Sequence, residues 1–253
     1  MASACATTSD APPPPERAAL ESEARAAHET PTTSDARLVG VTADIAVDDE
    51  VAALLAPHEE AVSARAKRVV GTLTGPLDRG ARDDVETTLG NFASDALRGQ
   101  MPAHVGRRVD VCFQNMGGLR RNLDAGPVTE GDLVEVMPFD NTVVVFELDG
   151  ASLQALLDRV AERRDPISGV RYRREGNGAK DVTVEGAPLD RARPYVVCTN
   201  DYVFEGGGDY PLHPAKNVVH TGVLVRDVFA DAIEAAEETS GGLAPVKDGR
   251  VTE

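Results

Sequence analysis

The run Thr142-Val143-Val144-Val145-Phe146-Glu147-Leu148 constrains this chain more than any other stretch. It is almost unbroken apolar sequence, as expected of a central strand buried on both faces, so the fold must lay apolar material on both sides of the sheet that contains it. The covering layers read as amphipathic helices. Leu89, Phe92, Ala93, Ala96 and Leu97 share one helical face, in a helix predicted to end near Arg98-Gly99. Leu153, Leu156, Leu157 and Val160 make a second stripe, and Val225, Val228, Phe229, Ala232, Ile233 and Ala236 a third.

Further strands are predicted at Val69–Thr74, Val109–Phe113 and Tyr195–Cys198, with Val39-Gly40-Val41 as a short one. Gly169–Arg173 and Val182–Val184 read as a hairpin around the turn from Arg174 to Lys180. Thr129–Val136 reads as a short helix with Thr129 as its cap and Asp132 at the third position. An earlier helix starts on Asp48-Asp49-Glu50 and carries Val51, Leu54, Leu55 and Val62 to about Lys67, with a kink at Pro57. Strands interspersed with helices, plus at least one hairpin, predict a mixed α/β arrangement rather than a purely parallel sheet.

Residues 1–37, with four consecutive prolines at Pro12–Pro15 and acidic Ala-rich sequence, read as a disordered leader. The folded domain is expected over 38–240, with a flexible tail over 241–253. Ala2-Ser3-Ala4-Cys5 resembles the end of a bacterial lipoprotein cleavage site, so a lipid anchor through Cys5 is one expectation. Cys112 and Cys198 sit in apolar strand patterns and read by default as free buried thiols; whether their strands are neighbours that would let them pair stays open. The formal charge of −16 disfavours nucleic-acid backbones and anionic membranes as partners, and no run approaches the length of a transmembrane helix.

Three loops carry candidate chemistry where strands run out. In Asn115-Met116-Gly117-Gly118-Leu119-Arg120, Asn115 offers donor and acceptors, Gly117 and Gly118 let the backbone approach a ligand, and Arg120 can grip a phosphate or carboxylate with two N–H groups. Phe139 and Tyr202 each follow a turn at a strand boundary, and two such rings can clamp a flat base. Asn141 can read a base edge, while Asp201, Glu205 and Asp209 are candidates for ribose hydroxyls.

The order of these motifs is similar to the C-terminal, substrate-binding domain of the 5′-nucleotidase/UDP-sugar hydrolase family. The matching pieces are Glu86–Leu97, Asn115–Arg120, Pro138–Val144, Leu148–Leu153, Ile167–Tyr172 and Thr199–Tyr202 with the glycine run that follows. The resemblance implies a four-layer α/β/β/α sandwich of mixed sheets. It also implies that Phe139 and Tyr202 sandwich a base, that Asn115 and Asn141 contact that base, and that Arg120 meets the phosphate end. Gly206-Gly207-Gly208-Asp209-Tyr210 departs from the family pattern by placing Gly208 where the family has its ribose-binding aspartate, with Asp209 one residue later. Asp140 replaces a usual glycine, and Arg82 is the nearest candidate for an arginine that the family carries before its Leu-Gly-Asn.

Enzymes of that family cleave phosphate esters with a two-metal centre on a separate N-terminal domain. None of His28, His58, His104, His213 and His220 lies in the spacing such a centre uses, and no nucleophile elbow or phosphate loop offers other chemistry. No catalytic residue, metal ligand or cofactor is therefore expected in this chain, with divalent metals expected only on a separate metallophosphoesterase chain. The expected ligand is a nucleotide or nucleoside-like small molecule, bound for hydrolysis with that partner. The alternatives are a non-catalytic binding module, such as a surface receptor or sensor, and a scaffold that has lost the pocket. The expected location is periplasmic or at the cell surface.

Overall fold

The computed structural model describes residues 42, 45–81 and 83–253. The chain divides into two compact units, Met1–Ala52 and Ala53–Glu253. In the first, the Asp48 carboxylate accepts from the N–H groups of Glu50 and Val51 at 3.0 and 3.1 Å, a side-chain cap on the helix that begins there. Apart from the first residues of that helix, the rest of the description concerns the second unit.

In chain order the elements are α1 (Asp49–Ala66), β1 (Val69–Leu73), α2 (Thr88–Val105), β2 (Val111–Phe113), β3 (Gly126–Thr129), α3 (Glu130–Val136), β4 (Thr142–Asp149), α4 (Gly150–Arg163) and β5 (Ile167–Ser168). There follow β6 (Val170–Glu175), β7 (Gly178–Val184), β8 (Ala187–Pro188), β9 (Pro194–Asn200), α5 (Asp201–Phe204), β10 (Lys216–Leu224), α6 (Val225–Ser240) and β11 (Val251–Thr252). The apolar run is β4, inside a five-stranded sheet ordered β10-β4-β9-β2-β5. β2 and β9 are parallel, and β4 runs antiparallel to β9.

Both faces of this sheet are covered, as β4 demands. Val143, Val145, Cys112 and Cys198 face a core built with α2 and α6 and with the small β1-β3 sheet. Val144, Phe146, Leu148, Val111, Phe113 and Val197 face a second core shared with α4 and the four-stranded sheet β11-β6-β7-β8. Alternate residues of each strand thus feed opposite cores, the period of two that a doubly covered strand imposes. The result is the mixed-sheet α/β/β/α class read from the sequence.

Local signals explain several ends. α3 carries the full capping box: the Thr129 hydroxyl accepts from Asp132 N–H, and the Asp132 carboxylate accepts from Thr129 N–H. α2 is capped by Thr87, whose hydroxyl accepts from Gly90 N–H at 3.0 Å. It does not stop at Gly99. It continues through Pro102 to a left-handed Gly106, because Met101 extends the buried face by one more turn.

Other differences are tertiary. Cys112 and Cys198 are not free thiols: they face each other in the β2–β9 register, Cα atoms 4.5 Å apart, and form a disulfide. Strands β3 and β10, absent from the sequence reading, are held by partners distant in sequence. Segment 241–253, read as a flexible tail, is packed. Leu243 exchanges backbone hydrogen bonds with Thr72 and Thr74, and β11 pairs in parallel with β6. Arg250, buried, holds both oxygens of Asp95 at 2.7 and 2.9 Å. The leader, Cys5, the strand at 39–41 and Arg82 lie outside the described residues.

Candidate ligand site at the ends of β2, β4 and β9

Parallel β2 and β9 end on the same edge of the sheet where antiparallel β4 begins. Loops leaving the carboxyl ends of parallel strands are free of the ladder and converge there, which is where open α/β sheets place ligands. Buried Asn200, the last residue of β9, joins two of the loops. Its Nδ2 donates to Asn115 Oδ1 at 2.8 Å and to Gln114 Oε1 at 2.9 Å, while its Oδ1 accepts from Val203 N–H and caps α5. With its oxygen engaged, Asn115 has its amide NH2 as the group left over.

Asp201 joins the third loop. Its carboxylate accepts from Asn141 Nδ2 at 2.7 Å, from Thr142 N–H at 3.0 Å, from the Thr142 hydroxyl at 2.8 Å and from Tyr202 N–H at 2.7 Å. Burial alone would push this carboxyl up, but the hydrogen bonds outweigh it and hold it below the usual carboxylate range. With four donors engaged, Asp201 is a loop tie and not the free ribose ligand suggested by the sequence. Asn141 spends its NH2 on the tie, which leaves its carbonyl oxygen as the group left over.

The two aromatic candidates flank this tie and are the most exposed aromatics of the site, Phe139 at 45% and Tyr202 at 55%. Tyr202 is backed by the glycine run. A Cβ on Gly207 would lie 2.5 Å from the Tyr202 ring, so only glycine lets the ring rest on that backbone. Phe139 is held by Arg226, which sequence reading missed. Arg226 donates to Phe139 O at 3.3 Å and pairs with the Asp140 carboxylate, offsetting the extra negative charge there. No local pattern marks Arg226, which lies 86 residues beyond Asp140 in the chain.

Arg120 is exposed beside its own turn, donating from Nη1 to Gly117 O at 3.1 Å. Gly117 is exposed, whereas Gly118 is buried under the amides of Gln114 and Asn115, which an added Cβ would meet at 3.0 and 3.3 Å. Asp209 is exposed with a left-handed backbone, φ 55°, and among the described residues no hydrogen bond ties its side chain to the network. The site thus gathers Asn115, Gly118, Asn141 and Tyr202 around Asn200 and Asp201.

Asp165 was also missed. It is 4% exposed, and its carboxylate accepts from Met116 N–H at 2.8 Å, from Arg163 Nε at 3.1 Å and from the Tyr210 hydroxyl. Burial raises its pKa more than these donors lower it. A cavity of about 780 Å³ bordered by Arg68, Glu130 and Leu133 reaches Arg226, and another of about 350 Å³ is bordered by Asp95, Arg98, Arg171 and Arg250. Both aromatic rings stand at the surface. Among the described residues no three His, Cys, Asp or Glu side chains are grouped as a metal site would require.

Residues 69–214 match the family described as 5′-nucleotidase, C-terminal domain. Protein UshA of Yersinia enterocolitica is 30% identical over 200 residues, 76% of this chain and 36% of that protein. Cell wall protein Lmo0130 of Listeria monocytogenes is 29% identical over 238 residues, 86% of this chain and 30% of that protein. The chain therefore spans about a third of the length of these curated relatives. Among solved structures, the 5′-nucleotidase precursor of Thermus thermophilus superposes with a TM-score of 0.68 at 26% identity, covering 81% of this chain and 43% of that one. The family match takes in β1 to α5 with all three loops of the site, and the chain belongs to the 5′-nucleotidase C-terminal domain family.

Proposed function

We propose that this domain recognises a nucleotide or nucleoside-like phosphoester through the face formed by Phe139, Tyr202, Asn115, Asn141 and Arg120. The observation that carries the reading is the pair of half-exposed rings on loops tied together by Asp201. Exposed aromatics cost solvation, and here the glycine run backs the Tyr202 ring while Arg226 holds the Phe139 backbone. A base stacked on each ring gains about 1–3 kcal/mol per stack. The Asn115 NH2 and the Asn141 carbonyl can meet its edge, and Arg120 can meet its phosphate. Asp209 and Glu205, both exposed, are the remaining carboxylates for a ribose.

Cleavage, in this reading, requires a metallophosphoesterase centre with divalent metals on a separate domain or chain, which activates water while this domain presents the substrate. An open aromatic face suits a site completed by a second body. The proposed location is outside the cytoplasm. A disulfide persists in oxidising compartments, and one relative is named a cell wall protein.

Calorimetric titration with AMP, adenosine and UDP-glucose tests the binding. The wild type should bind at least one of them, with Phe139→Ala and Tyr202→Ala each weakening it by about 1–3 kcal/mol. No heat with any of the three, and no effect of either substitution, would sink the reading. Phosphate release from AMP should appear only when a metallophosphoesterase and a divalent metal are added. Binding without such release leaves a receptor or sensor in its place.

A further inference from the structure

We propose that Asp165 is the positioning residue of the ligand site, a single buried carboxylate that sets both of its walls at once. Three elements meet on it. The N–H of Met116 brings in the Asn115–Gly118 turn, Arg163 brings in the end of α4, and the Tyr210 hydroxyl brings in the loop after α5. Arg163 Nε is shared between Asp165 Oδ2 at 3.1 Å and the Tyr210 oxygen at 3.0 Å, which closes the triangle.

From this triangle the geometry runs outward on two sides. On one side, the Met116 N–H fixes the turn whose neighbours Asn115, Gly117 and Gly118 form one wall. On the other, the Tyr210 ring is packed against Phe113, with centroids 5.2 Å apart, and lies under Gly208, where an added Cβ would stand 2.7 Å from the ring. Gly208 is held from outside by Arg159, which donates to its carbonyl at 2.9 Å. The adjoining Gly207 is the backbone on which the Tyr202 ring rests. Asp165 thus reaches the exposed ring through Tyr210, Gly208 and Gly207 without touching a ligand. A carboxylate placed in such a dry position is costly unless hydrogen-bonded, and the structure supplies three donors from three different elements.

The geometric part stands whatever the ligand is; only the affinity part rests on the function proposed above. The full chain is labelled with 3-fluorotyrosine, which reports its four tyrosines by fluorine NMR, with the Tyr202 line assigned by Tyr202→Phe. Tyr210→Phe removes one hydroxyl and keeps the ring; Asp165→Asn keeps the acceptor oxygen and removes the charge. Both should shift or broaden the Tyr202 line. Tyr195→Phe is the matched control. It likewise deletes one hydroxyl and its hydrogen bond, which the Tyr195 oxygen accepts from Asp190 N–H at 2.9 Å near the opposite end of β9, and should leave the Tyr202 line in place.

Affinity for whichever of AMP, adenosine and UDP-glucose binds should fall about tenfold in Asp165→Asn and Tyr210→Phe, the loss of one hydrogen bond to a charged group, and not in the control. A Tyr202 line unmoved by both variants, or moved equally by Tyr195→Phe, overturns the proposal. A moved line in a protein that binds none of AMP, adenosine and UDP-glucose supports the positioning role and overturns the ligand reading alone.

Discussion

Tyr202 is 55% exposed and backed by Gly207 because the side chain at 207 is a hydrogen. Gly207→Ala would put a methyl into that ring and within 2.6 Å of the Tyr202 carbonyl, so either the loop or the ring must move. The expected outcome is a stability loss of about 1–3 kcal/mol in urea titration, together with weaker ligand binding. Asp201 makes a pH prediction. Its folded pKa is depressed, so its contribution to stability is fully present above the unfolded value of about 3.9 and is lost as pH falls through the lower folded value. The stability difference between wild type and Asp201→Asn should be constant from about pH 5 upward and shrink below about pH 4, measured by urea titration across pH. A difference that grew on acidification would contradict the tie. Asn115, Gly118, Phe139 and Tyr202 were legible as candidates because turn glycines, an amide and boundary aromatics are local signals. Arg226 and Asp165 were not, since each acts on residues far along the chain.

Elements with their own start signals were the readable ones. Thr129 and Asp132 announce α3, and the stripes of α2, α4 and α6 announce their buried faces. The end of α2 was misplaced because Gly99 is a plausible terminator locally, while packing of Met101 keeps the helix going to Gly106. β10 shows why an edge element escapes detection: Lys216 to His220 are exposed, so no alternation marks them, and only the ladder with β4 makes them a strand. β11 is two residues long and depends on β6 and on the Arg250–Asp95 pair. Arg250→Ala should cost about 2 kcal/mol, the scale of hydrogen bonds to charged groups, and should speed hydrogen exchange in 249–253. Unchanged exchange there would mean that strand pairing alone holds the segment.

At the scale of the molecule, one disulfide joins the two parallel strands that support the site, closing a chain separation of 86 residues. A loop of that length restricts the unfolded chain enough to stabilise the fold by about 2–5 kcal/mol. Reduction, or the double variant Cys112→Ala/Cys198→Ala, should lower the denaturation midpoint by a corresponding amount. Indifference of the midpoint to reductant, with both thiols alkylated in the native protein, would show that the cysteines are unpaired. The pairing could not be read from sequence because it depends on β9 lying beside β2 in register, and nothing near either cysteine records that. The same reason separates everything else. By itself the sequence determined that β4 must be covered on both faces, which helices cover it, and that three strand ends carry amide, glycine and aromatic side chains, because period and turn chemistry are properties of neighbours along the chain. Only the tertiary structure decided which strands adjoin, that Asn200 and Asp201 draw the three loops together, that Arg226 and Asp165 brace them, and that the last residues are packed, because those contacts join positions that chain distance keeps apart.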